Sequence, residues 1–222
     1  MKKLISVITP TYNEELNIEK LIYVVEKIMD AYNSKYDYEH IVIDNKSTDQ
    51  TIDILKRIAQ NKKNLKVIIN SRNFGHIRSP FYGLLQTKGD ASIFLNADFQ
   101  DPPELIPDYI KSWEKGYRIT LAQKTKTNDS FIMKFLKKIF YKTLNAISKI
   151  NLPLYVTGSG IYDKKIIELF RQINDPYPYL RGLVAELEGD INLIEFEQPK
   201  RLRGKSSNNF FTLYDYIILG LV

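Results

Sequence analysis

Ile93-Phe-Leu-Asn-Ala-Asp-Phe-Gln-Asp-Pro-Pro-Glu104 runs from a short apolar segment into oxygen-bearing side chains and then a proline pair. The apolar part reads as a buried strand, and Pro103 sits where a helix can begin, its missing N–H costing nothing at a first turn. Between them stand Asn96, Ala97, Asp98, Gln100 and Asp101. Asp98 and Gln100 offer hard oxygen, which suits Mg²⁺ or Mn²⁺ better than zinc. A cation held there can share its remaining positions with a diphosphate and offset the charge of a leaving group. The alternative is plain architecture, a strand followed by an acidic turn. What stands at the ends of the neighbouring strands decides between them.

Upstream, Leu4 to Thr9 reads as a strand buried on both faces and ended by Pro10, followed by the polar loop Thr11-Tyr-Asn-Glu-Glu15. Leu16, Ile18, Leu21, Ile22, Val25, Ile28 and Met29 then keep helical spacing. Glu39 to Asp44 is a second strand, and Ser47, Thr48 and Asp49 offer N-caps for a helix carrying Ile52, Leu55 and Ile58. Leu65 to Ile69 is a third strand, Asn70 to Gly75 a loop, and Arg78 to Leu85 a short helix. Ala91 to Leu95 is the fourth strand, and Pro103 opens a helix to about Lys115. Alternating strands and helices on short connections imply an α/β fold with a mostly parallel, doubly wound sheet. Ligands bind such sheets at the carboxyl ends of the strands, which gathers Thr11–Glu14, Asp44–Ser47, Asn73–Gly75 and Asp98–Gln100 on one rim.

Downstream, Arg118–Gln123 reads as a strand, and Phe131 to Ile150 as an amphipathic helix with a lysine face. That helix either packs on the sheet or lies on an anionic membrane surface. Thr157 to Tyr162 is Gly-rich and receives no element; Lys164 to Gln172 is helical. Asp175 to Tyr179 is a stiff turn before a helix Leu180 to Glu188, and Ile191 to Phe196 closes the pattern. The tail carries Lys200, Arg201, Arg203 and Lys205 around Gly204, a cradle for phosphate, before an apolar run that ends the sequence as though a longer protein continued.

The chain has 222 residues, 44% of them hydrophobic, enough for one domain with an appendage. We divide it into residues 1–198, a nucleotide-sugar-binding catalytic domain, and 199–222, a basic, membrane-directed segment. The 32 Lys and Arg against 26 Asp and Glu leave +6, a modest excess that matters mainly where it clusters. Without cysteine there is no disulfide framework or thiol chemistry, and the immediate strand pattern leaves no room for a signal peptide. No run of about 18 apolar residues spans a membrane. No nucleic-acid recognition motif is present. His40 and Trp113 read as packed, His76 as either a phosphate contact or a surface histidine, and the 15 tyrosines as packing and interface, which admits a homo-oligomer.

Val7-Ile-Thr-Pro-Thr-Tyr-Asn-Glu14, Ile43-Asp-Asn-Lys-Ser-Thr-Asp49, Ser71-Arg-Asn-Phe-Gly75, Asn96-Ala-Asp-Phe-Gln-Asp-Pro-Pro-Glu104, Tyr179-Leu-Arg-Gly182 and Arg201-Leu-Arg-Gly-Lys-Ser206 occur in this order and spacing. Together they resemble the family-2 glycosyltransferases, in the branch of dolichol-phosphate mannose synthase and bacterial polyprenyl-phosphate sugar transferases. The resemblance implies a Rossmann-like, A-type glycosyltransferase fold and inverting transfer from a nucleoside-diphosphate sugar, with UDP favoured. The acceptor would be lipid-linked, such as a polyprenyl phosphate, or a cell-envelope saccharide, on the cytoplasmic face of the cell membrane. It implies a nucleotide pocket lined by Pro10, Tyr12 and Glu14, with Thr11, Ser47, Asn73, Gly75, Asn96 and Ala97 beside it. Asp44 would accept a hydrogen bond from the base. Asp98 and Gln100 would hold Mg²⁺ or Mn²⁺, and Arg201, Arg203, Lys205 and Ser206 would bind phosphate and close over the site.

Two positions depart from the family pattern. Asn96 replaces the first acid of the Asp-x-Asp pair, removing one negative charge and implying weaker metal binding. Gly158 and Ser159 stand where a carboxylate is usual. A phosphate monoester, with a second pKa of about 6, is already an anion and needs no strong base. A sugar hydroxyl needs one, and Asp175 and Glu186 are the candidates. The same departures also admit a non-catalytic module that binds a nucleotide sugar or lipid phosphate. Nucleotidyl transfer fits poorly, because no Gly-rich basic loop follows the first strand.

Overall fold

The computed structural model describes residues 1–126, 155–173, 175, 177–187 and 191–199. The expected helix over 131–150 and the basic tail, with Arg201, Arg203, Lys205 and Ser206, lie outside the described residues.

Strands β1 (Lys3–Thr11), β2 (Tyr36–Asp44), β3 (Leu65–Ile69), β4 (Ala91–Phe94), β5 (Ile119–Lys126), β6 (Val156–Asp163) and β7 (Ile191–Glu197) form one sheet in the order β3-β2-β1-β4-β6-β5-β7. Strands β1 to β4 pair in parallel, β5 pairs in parallel with β7, and β6 runs antiparallel to both neighbours. Helices α1 (Ile18–Asp30), α2 (Thr51–Ala59), α3 (Gly75–Leu85), α4 (Ile106–Glu114), α5 (Lys164–Gln172) and α6 (Leu180–Glu186) supply the connections and cover both faces.

Alternating side chains explain why the strands are apolar throughout. Ile5 and Val7 of β1, Val42 of β2 and Ile93 of β4 enter one core with Leu21 and Val25 of α1, Leu55 of α2 and Tyr109 of α4. Ile8, Ile41, Ile43 and Phe94 point the other way, into a second core with Phe81 and Leu84 of α3, Phe170 of α5 and Val184 of α6. A strand packed on two faces needs hydrocarbon at successive positions.

Several expectations shift in detail. The Gly-rich stretch 157–162 is strand β6, seated between β4 and β5. Its glycine is a packing requirement, since a β-carbon on Gly160 would meet the Thr120 carbonyl oxygen at 2.1 Å. Low strand propensity conceals such a position in sequence. Helix α3 begins three residues before Arg78, at Gly75 with φ +84°. Pro103–Leu105 is a short 3₁₀ turn leading into α4. Helix α2 has no side-chain cap at Gln50; Asp49 Oδ1 instead accepts from Thr51 N at 3.0 Å. The hydroxyl of Ser47 is committed to the loop before the helix.

Candidate active site

Parallel register brings the strand ends level. Thr11 pairs with Asp44, and Ile8 pairs with Phe94, two residues before Asn96. Because β6 is antiparallel, its beginning at Val156 lies at this same rim. Non-glycine residues with positive φ concentrate here: Asn13 (55°) after β1, Lys46 (65°) after β2, Phe99 (57°) after β4 and Tyr155 (62°) before β6. Left-handed backbone at such residues costs free energy and persists where surrounding contacts hold it.

The first two loops are tied together. Asp44 is fully buried, its Oδ1 accepting from Ser47 N (2.8 Å) and its Oδ2 from the Ser47 hydroxyl. Ser47 Oγ accepts from Asn13 N at 2.9 Å, and Asn13 Oδ1 accepts from Thr48 N at 2.8 Å. Glu14 N donates to Thr51 Oγ1 at 2.9 Å, and Glu14 Oε2 accepts from Asn17 at 2.7 Å. Pro10 is half-buried and Thr11 buried beneath this loop, while Tyr12 stands 39% exposed. Asp44 therefore lies under the rim, bracing the loop that a nucleotide would meet.

Asn45, which the motif reading passed over, links the second loop to the third. Its Nδ2 donates to Asn73 Oδ1 (2.8 Å) and to the Gly75 carbonyl (3.0 Å), and its Oδ1 accepts from Phe74 N (2.9 Å). Asn73 Oδ1 also accepts from Gly75 N at 2.8 Å, so one asparagine pair sets the start of α3. Its signal was present, as the residue after Asp44 in a loop rich in asparagine. Only the spatial meeting with Asn73 gives it meaning.

Beyond β4 the chain alternates. Ala97 and Phe99 are buried, Phe99 beneath the Lys20 ammonium at 5.3 Å from its ring centroid, while Asn96, Asp98 and Gln100 are partly exposed between them. Asp98 Oδ1 accepts from Gln100 N at 3.1 Å, tightening the turn. Asn96 Nδ2 donates to Asp101 Oδ2 at 2.6 Å. Asp101 is buried. Burial pushes the Asp101 carboxyl above the usual range, against the bonds from Asn96 and Thr157 and the nearby Lys124. Asp101 was quoted in the motif without a role, because its burial is invisible in sequence.

Among the described residues no group of three His, Cys, Asp or Glu side chains could hold a metal. A cation here would draw on Asp98 together with amide and substrate oxygens. The donor set is all hard oxygen, which fits Mg²⁺ or Mn²⁺.

The two base candidates fare differently. Asp175 lies in the turn before α6, where its Oδ1 accepts from Tyr177 N at 2.7 Å. Glu186 lines a cleft with Lys115, Arg118 and Leu169 where β5 begins, at the end of the sheet away from Asp98. At the site of the absent carboxylate, Ser159 Oγ donates to the Phe94 carbonyl at 3.0 Å and joins β6 to β4. His40 is packed as expected, 3.0 Å from Thr9 Oγ1. Trp113 packs against Tyr36 and donates to Asp163 at 2.8 Å.

With this geometry in view, similarity to known proteins is informative. The model of glycosyl transferase family 2 matches residues 6–170. YkcC, an uncharacterized glycosyltransferase of Bacillus subtilis, is 31% identical over 202 residues, 90% of this chain and 62% of that protein. A bactoprenol glucosyl transferase of Shigella phage SfX is 27% identical over 218 residues, 98% of this chain and 71% of that protein. The chain thus spans less than two thirds of the first relative's length and somewhat more of the second's. Glucosyl-3-phosphoglycerate synthase from Mycobacterium tuberculosis, solved with Mn²⁺, uridine diphosphate and phosphoglyceric acid, shares the fold at a TM-score of 0.61 and 20% identity, over 99% of this chain and 77% of that one. The doubly wound, A-type glycosyltransferase architecture is therefore the one present, and the chain belongs to glycosyl transferase family 2.

Proposed function

We propose that this domain transfers a glycosyl group, with inversion, from a UDP-sugar to a lipid-linked acceptor such as a polyprenyl phosphate. The observation that carries the reading is the meeting of the loops after β1, β2, β3 and β4 on one rim, with Asn96, Asp98 and Gln100 partly exposed on the last. Family membership, a neighbour holding uridine diphosphate and Mn²⁺, and a relative named for bactoprenol support it.

Asp98, Gln100 and the Asn96 carboxamide oxygen would hold the divalent cation, which supplies charge to offset the departing diphosphate. The chain's own residues do the rest. Tyr12 is exposed to pack on a nucleoside base over the loop that Asp44 and Ser47 brace. The Asn45–Asn73 pair sets the N-terminus of α3 and Gly75 for approach to phosphate. Arg201, Arg203, Lys205 and Ser206 would close over phosphate, and the tail would hold the domain to an anionic membrane surface on its cytoplasmic side. An acceptor oxygen then forms a bond to the anomeric carbon as the bond to the diphosphate oxygen breaks. A phosphate acceptor arrives as an anion, so no residue need remove its proton, consistent with Ser159 and Gly158 where a carboxylate might stand.

Incubating the chain with UDP-sugars, Mn²⁺ and polyprenyl phosphate in phosphatidylglycerol vesicles, while following UDP release, tests this. Release that needs both donor and lipid is the expected result. Tight UDP-sugar binding with no release would identify a non-catalytic binding module instead, a reading that Asn96 favours.

A further inference from the structure

Asp101 is 2% exposed, and its Oδ2 accepts from Asn96 Nδ2 at 2.6 Å. Burying a carboxyl is costly unless its partners compensate. The Asn96 bond has a structural consequence. A carboxamide has two flips, and the one present directs its N–H at the Asp101 carboxyl, 2.6 Å away. The Asn96 nitrogen therefore faces Asp101. Its oxygen makes no hydrogen bond among the described residues, and Asn96, like Asp98 and Gln100, is partly exposed.

We propose that Asp101 is a positioning residue for the cation site, holding the Asn96 carboxamide by its nitrogen so that its oxygen is left for a cation. The inference rests on the cation reading above and adds to it. Partners that orient a metal ligand through its second polar atom are worth about 10–100-fold in metal affinity.

The test is titration of the full chain with Mn²⁺ in the presence of UDP, read by electron paramagnetic resonance of free Mn²⁺. Wild type should bind, and Asp101→Asn should weaken binding by about 10–100-fold, since the amide at 96 loses its enforced flip. The exchanged pair, Asn96→Asp with Asp101→Asn, restores the hydrogen bond in the opposite direction and should recover affinity to within a few-fold. Asn96→Asp alone brings two carboxylates together; it should melt below wild type without cation and show a larger Mn²⁺-induced rise in Tm. Unchanged affinity in Asp101→Asn, an exchanged pair no better than that single variant, or an Asn96→Asp protein melting like wild type with and without Mn²⁺ would each overturn the proposal. Failure of wild type to bind Mn²⁺ at all would remove the cation reading together with it, so the two failures are distinct.

Discussion

Gly160 and Gly75 look alike in sequence and make opposite demands. At Gly160 an added β-carbon would stand 2.1 Å from the Thr120 carbonyl oxygen and 3.0 Å from Leu121 Cα, both backbone atoms unable to yield without moving β5. At Gly75 nothing lies within 4 Å, and only its φ of +84° resists substitution. Gly160→Ala should therefore cost at least about 3 kcal/mol and Gly75→Ala about 1 kcal/mol, read from urea unfolding midpoints. Equal costs would show that β6 does not approach β5 as described. Residue identity alone also misled at Asp101 and Asn45. Both belonged to motifs already recognised by their neighbours, but burial and a partner 28 residues away, at Asn73, define what they do.

At the scale of elements, strands β1 and β2 are also joined by a polar cluster around the paired residues Ser6 and Glu39. Glu39 accepts from the Ser6 hydroxyl, from Lys88 N at 3.1 Å and from the Lys66 ammonium. Burial, the largest single influence, pushes the Glu39 carboxyl up, but those three donors together hold it below its ordinary value of 4.5. Its stabilising contribution is thus present above pH 4.5 and lost as pH falls through the lower folded value. His40, one residue on, is held neutral by burial, its pKa lowered from 6.5 to about 3. As pH falls from 6.5 toward 3, the unfolded chain takes up a proton that the folded chain refuses. That costs roughly 1.4 kcal/mol per pH unit. Both effects destabilise in acid. Urea unfolding of His40→Gln should lose this slope between pH 6.5 and 4.5, and Glu39→Gln should lower stability mainly above pH 4.5, its deficit against wild type shrinking as pH falls below that value. A His40→Gln variant with the wild-type slope would mean the imidazole is not buried neutral.

Across the whole molecule, the alternation of strand and helix was legible wherever both faces of a strand are hydrocarbon. Leu65–Ile69 and Lys164–Gln172 coincide with β3 and α5. The antiparallel β6 escaped because a glycine demanded by a neighbouring backbone is indistinguishable from a loop glycine. The rim was legible for a general reason: a doubly wound sheet delivers its loops to one edge, so polar tips at strand ends must converge. The Asn96–Asp101 bond was not legible, since neither the burial of Asp101 nor its approach to 2.6 Å shows in the sequence. A glycosyl-transfer site at that rim stands or falls with Asp98, and the most direct measurement is sugar transfer from UDP-sugar to polyprenyl phosphate by Asp98→Ala against wild type at saturating Mn²⁺. A loss of at least about 100-fold, on the order of 3 kcal/mol in the barrier, with the fold intact by circular dichroism, is the predicted result. Transfer at the wild-type rate by a folded Asp98→Ala protein would contradict it.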